Sequence, residues 1–176
     1  ILDSSNPTGK FEVFCPRVRG IEYSISHYKN HFYILTNKDK ATNFRLMRTS
    51  EAERDMDKWE VVLPHRKEVL IEAIDIFKDF LVVSERENGL NQIRIKRWDG
   101  TEDYYLPFES ETYTCYTSIN PEFDTELLRF SYNALTTPPS VIEFNMETKT
   151  KKVLKQKEVL GGKFDKANYV SERVWA

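Results

Sequence analysis

The chain has 176 residues, enough for one domain or a piece of a larger one, and it carries a formal net charge of −2. That balance argues against a general nucleic-acid or anionic-membrane binder, which would show a clustered basic face. No apolar run approaches the roughly 20 residues that span a bilayer.

Nothing at the amino terminus resembles a signal peptide, although the chain starts at Ile1 and reads as trimmed. The two cysteines, Cys15 and Cys115, match no metal or redox spacing. Both read as reduced core or half-buried thiols, which suits a cytoplasmic setting.

Residues 1–10 start in a turn-rich segment, Asp3 to Gly9. Phe11-Glu12-Val13-Phe14 then alternates like one strand. It has no hairpin partner before it, so residues 1–15 read as the outer strand of a preceding repeat. The first complete repeat covers about 22–65. Tyr23 to His27, His31 to Thr36, Phe44 to Met47 and Trp59 to Leu63 are its strands, stopped by Pro64. Between the last two, Thr49 to Asp55 is a solvated loop or a single helical turn, since Ser50 and Glu53 have capping-box spacing.

The second repeat covers 69–108. Val69 to Phe77 also fits a helical stripe through Leu70, Ile74, Phe77 and Leu81. The repeat decides for strand, because the segment fills the slot of Tyr23 to His27. Phe80 to Val83, Ile93 to Ile95 and Asp103 to Leu106 follow, with Asp99-Gly100 at the centre of a turn. The third repeat covers 112–156. Its strands are Tyr113 to Ile119, Leu127 to Tyr132, Val141 to Asn145 and Lys152 to Leu154, with Thr136 to Pro139 as a turn. After Gly161-Gly162, Tyr169 to Trp175 alternates as a lone trailing strand.

The repeats are in step. Tyr33, Val82 and Arg129 are separated by 49 and 47 residues, and Phe44, Ile93 and Val141 by 49 and 48. The fourth strands rhyme as Val62-Leu63-Pro64, Tyr105-Leu106-Pro107 and Val153-Leu154-Lys155. Four short antiparallel strands per period of this size describe β-propeller blades. A β-sandwich would also give short strands, but not a signature at every fourth one. The expected fold is all-β: a partial propeller of about three blades, one strand of the blade before, and a linker strand over 157–176.

No cutting chemistry is legible. There is no Gly-x-Ser-x-Gly elbow. His27, His31 and His65 are the candidate bases, and each reads as an exposed or capping residue beside a turn or a proline. A His27–His31 metal pair lacks a carboxylate or thiol partner. The glycines form no phosphate cradle. No metal and no cofactor is called for. Glu85, Glu87, Glu109 and Glu111 read as solvated surface. Trp59, Trp98, Tyr104, Tyr105, Tyr113 and Tyr116 read as wedges between blade faces.

The order of segments resembles the propeller of the prolyl oligopeptidase family, and within it the oligopeptidase B (protease II) branch. The residues carrying this are Phe32 to Asn37 with Asn43 to Met47, and Trp59 with Val62 to Arg66. Further on come Leu81 to Val83 with Glu85-Arg86 and Gly89-Leu90, Leu128 to Tyr132 with Thr136 to Pro138, Val153 to Gln156, and Asn168 to Ala176.

The resemblance implies the last three blades of a seven-bladed propeller that covers an α/β-hydrolase domain. It implies a parent serine endopeptidase that cuts short peptides after Lys or Arg, with the propeller excluding folded proteins. The family's Ser, Asp and His lie downstream, so this segment alone is expected to be no enzyme and to have no catalytic residue. Glu85, Arg86 and Asn88, at a blade top, are the candidate gating or interdomain contacts. The expected partners are the parent's own hydrolase domain and short peptide substrates, with no nucleic acid and no membrane. Uncovered apolar blade faces also predict self-association. The competing function is a free-standing propeller-like module that binds a peptide or protein on an open blade edge.

Overall fold

A computed structural model describes residues 1–174; Trp175 and Ala176, the end of the expected trailing strand, lie outside the described residues. The alternating runs become three four-stranded antiparallel sheets, each a meander in chain order. The first holds β1 (Tyr23–Tyr28), β2 (His31–Thr36), β3 (Arg45–Ser50) and β4 (Glu60–Leu63). The second holds β5 (Val69–Ile76), β6 (Phe80–Glu87), β7 (Leu90–Arg97) and β8 (Asp103–Tyr105). The third holds β9 (Tyr113–Thr117), β10 (Leu127–Ala134), β11 (Thr137–Asn145) and β12 (Thr150–Gln156). Val69 to Ile76 is strand, as the repeat required over the competing helical stripe.

The chain divides into two compact units, residues 1–67 and residues 68 onward. In the first unit, Phe14 and Cys15 bury with Ile34, Met47 and Trp59. The Phe14 ring meets Phe32 edge-on at 5.0 Å and stacks on Trp59 at 6.1 Å.

The expected strand over Phe11–Phe14 is irregular chain instead. Nor does its burial alternate: Phe11, Glu12 and Val13 are exposed and Phe14 and Cys15 are buried together. Its backbone exchanges bonds with Ile1, at 2.8 Å and 2.6 Å, and not with a neighbouring strand. Ladder geometry needs a continuous partner, and Asp3 to Gly9 supplies a turn.

Three boundaries also move. Phe44 stays outside β3 because its backbone is left-handed, φ 60°. The helical turn near Ser50–Glu53 falls later, at Met56–Lys58, where the Asp55 carboxylate accepts from the Asp57 amide at 3.0 Å. Pro138 and Pro139 lie inside β11 and not in the turn before it. They sit opposite a register shift between Tyr132 and Ala134, where a missing N–H is tolerated.

In the second unit the two sheets share one interior. Phe80, Val82, Ile93, Ile95 and Leu106 of one blade pack with Leu128, Phe130, Phe144 and Met146 of the next. Phe108, in the connecting segment, lies edge-on to Phe130 at 5.9 Å and stacks on Tyr132 at 5.1 Å. The Tyr104 hydroxyl donates across the same interface to the Met146 carbonyl at 2.9 Å.

Asp75 is a partly buried carboxylate on this interface, where the Thr117 side chain hydrogen-bonds to it. Burial raises its pKa above the ordinary 3.8, and the Thr117 bond only partly opposes that. The folded state therefore holds this proton more tightly than the unfolded chain. The penalty is absent below the unfolded pKa and grows as pH rises toward the folded one. Asp75→Asn is expected to be more stable than the parent at neutral pH, with the difference vanishing in acid. Exchange of β5 and β9 amides at both pH values, corrected for intrinsic rates, checks this, and a variant no better protected at neutral pH would refute it.

Candidate functional site

In a meander, successive turns fall at alternate ends of the sheet. The β6–β7 turn, the β8-to-β9 segment, the β10–β11 turn and the chain after β12 therefore share one end of the second unit. At the opposite end, ion pairs tie one blade to the next. Lys78 meets Asp124 at 2.8 Å, Lys149 meets Glu102 at 2.7 Å, and Arg97 pairs with Glu147. The first of these pairs is largely exposed, and such pairs are worth about 0.2–1 kcal/mol each. They set register more than they set stability.

The expected site residues lie at the first end but do not converge. Glu85 and Arg86 are adjacent on β6, so the pleat sends them to opposite faces. Glu85, expected on the solvated surface, is instead fully buried, because its side of the pleat faces inward. Its Oε2 accepts from the Tyr105 hydroxyl at 2.6 Å, and its Oε1 is 3.6 Å from the Arg94 guanidinium. Arg94 in turn forks onto Asp103 with bonds of 2.7 Å and 2.8 Å, and Lys96 also pairs with Asp103. Arg94 holds the Asp103 carboxyl below the usual aspartate range, and Asp103 raises the Arg94 pKa. Arg86 spans Glu72 at 2.7 Å, and Asn91 donates to the same carboxylate at 3.1 Å. Asn88 and Gly89 form the two-residue turn, with φ of 50° and 75°, the left-handed pair that an Asn-Gly hairpin suits. The Asn88 carbonyl accepts from Arg173.

Glu109 and Glu111 were the residues most easily passed over. They are solvated surface, as expected, and still make contacts: Lys166 lies 3.5 Å from Glu109, and the Arg173 amide donates to Glu111 at 3.3 Å. The expected trailing strand is not a strand over its described residues. It holds a 3-10 turn at Lys166–Asn168 and then runs irregularly. The signal available beforehand was charge order, an acidic Glu-Ser-Glu matched by later basic residues.

The histidines build no relay. His27 Nε2 is 2.5 Å from Glu51 Oε1, His31 starts β2, and the buried His65 Nε2 has no hydrogen-bond partner. Among the described residues no three His, Cys, Asp or Glu side chains gather as metal ligands. Burial pushes the Cys115 thiol up to about 12, so it stays protonated and unreactive at neutral pH.

A model of the prolyl oligopeptidase N-terminal β-propeller domain matches residues 1–157. Dipeptidyl aminopeptidase BI of Pseudoxanthomonas mexicana is 39% identical over 168 residues, 96% of this chain and 23% of that protein. Protease 2 of Moraxella lacunata is 28% identical over 176 residues, 100% of this chain and 25% of that protein. Oligopeptidase B from Leishmania major superposes with a TM-score of 0.80 at 29% identity, over 90% of this chain and 23% of that one. The chain thus spans about a quarter of the length of these relatives. With matching blades, strand order and family model, the chain belongs to the prolyl oligopeptidase family, as a portion of its N-terminal β-propeller.

Proposed function

We propose that this chain is a portion of the wall that screens the active site of a cytoplasmic serine oligopeptidase cutting short peptides after Lys or Arg. The observation that carries the reading is the match of residues 1–157 to a propeller domain, together with the likeness to oligopeptidase B and Protease 2. The catalytic serine, aspartate and histidine belong to a separate α/β-hydrolase domain. The propeller admits short, flexible peptides and turns folded proteins away. Reduced cysteines at 15 and 115 fit the compartment.

A second specificity has its own support. Identity to the dipeptidyl aminopeptidase, 39%, exceeds the 28% to Protease 2. On that reading the parent releases dipeptides and does not cut internally.

The isolated segment is also expected to self-associate. Leu63 and Leu106, in matching fourth-strand positions, are 5% and 3% exposed, whereas Leu154 is 41% exposed. What β9–β12 provides for Leu106, no later blade provides for Leu154 among the described residues.

The test uses this segment and the protein extended through the hydrolase domain. The extended protein should cleave a blocked internal arginyl peptide, while a free-amino dipeptidyl substrate reports the second specificity. The segment should be inert and should grow in mass with concentration in light scattering. Activity of the segment that survives stringent repurification, or an extended protein inactive on both substrates, would overturn the proposal.

A further inference from the structure

After β12 the chain is open to solvent, and between residues 161 and 174 only Ser171 and Arg173 are partly covered. Their neighbours Val170 and Val174 are 84% and 85% exposed. A segment seated by the hydrophobic effect would turn the valines inward; this one turns its guanidinium inward. The segment is ordered from within, since Asp165 caps the turn through the Ala167 amide at 2.9 Å and Phe164 stacks on Tyr169 at 5.6 Å. Its outward reach is polar. Arg173 donates through Nη2 to the Asn88 carbonyl and through its amide to Glu111, and Lys166 pairs with Glu109. Gly89 is demanded by its backbone, φ 75°, and not by crowding, since a Cβ there would meet Arg173 Nη2 at an ordinary 3.6 Å.

We propose that residues 164–174 form an electrostatic latch, in which Lys166 and Arg173 seat the segment on Glu109, Glu111 and the Asn88 carbonyl. Charge holds it, so salt releases it, while the blades beneath stay folded. The strap follows β12, so its release requires no sheet to unfold. This stands whether or not the parent is a peptidase, because it rests on contacts within the chain.

The test is segment-resolved hydrogen exchange on residues 1–176. In the Glu109→Gln/Glu111→Gln double variant, amides of 164–174 should exchange about 3- to 10-fold faster, as loss of the exposed Lys166–Glu109 pair and of the charge that strengthens the Arg173 amide bond to Glu111 implies. The parent in about 1 M salt, where the screening length falls to about 3 Å, should show the same acceleration. Amides of β5–β12 should not change. Strap exchange within about twofold of the parent under both conditions would refute the latch. Should the double variant also loosen β5–β12, Arg173→Met decides, because it alters only the strap. Faster strap exchange in that variant supports the latch, and unchanged exchange overturns it.

Discussion

Phe130→Ala is expected to remove about 3–5 kcal/mol, the usual loss for a fully enclosed phenylalanine. Phe130 has no exposed surface and lies in the interior shared by β5–β8 and β9–β12. Truncation discards its transfer energy and leaves a hole between two sheets whose backbones are fixed by their own ladders, so little collapse can follow. Against a net stability of roughly 5–15 kcal/mol this is a large fraction. With two compact units, one unfolding free energy is not well defined for the whole chain. The measurement is therefore hydrogen exchange by segment. Amides of β6, β7, β10 and β11 should exchange about two to three orders of magnitude faster, at one order per roughly 1.4 kcal/mol. Phe123→Ala is the control, since Phe123 is 50% exposed. Equal effects of the two substitutions would show that the shared interior does not hold the blades.

Arg94→Met is the second large effect, about 2–4 kcal/mol destabilising. The guanidinium lies 3.6 Å from the fully buried Glu85 and forks onto Asp103. Removing it takes a cation away from a buried carboxylate that still accepts from Tyr105, and weakening a buried ionic network costs more than the loss of a surface pair. The value sits at the lower side because the Arg94 side chain keeps 19% exposure. Glu85→Gln should be milder, about 1 kcal/mol, because a Gln oxygen can still accept from the Tyr105 hydroxyl. The double variant should be more stable than Arg94→Met alone. A double-mutant cycle on the exchange of β5–β8 amides reads the coupling, and additive losses would mean that the two side chains stabilise the blade independently.

The blades were legible because three copies of one pattern vote together. Val69–Ile76 alone supports helix or strand; its slot in the period decides. What escaped was local. Phe44 carries a left-handed backbone that no propensity announces in a bulky residue. Pro138 and Pro139 look like turn residues, yet a register shift lets a strand absorb them. Leu154 rhymes with Leu106 but is exposed, because burial depends on a neighbouring sheet and not on the residue. At the candidate site, loop position suggested Glu85, Arg86 and Asn88 as one group, whereas the pleat separates the first two. Arg173 and Glu111 are 62 residues apart, a pairing that no local spacing encodes.

The interior that Phe130 shares with Val82 and Ile95 has a bearing on how such a chain can be cut or copied. Heredity duplicates a segment of 47 to 49 residues, but solvent exclusion in the second unit is achieved only by two segments together. A break near residue 110 would therefore open a wet seam through both products. Any added copy must arrive with a mate for its outer surface, so these proteins can gain or lose modules only where an adjoining surface is remade at the same time.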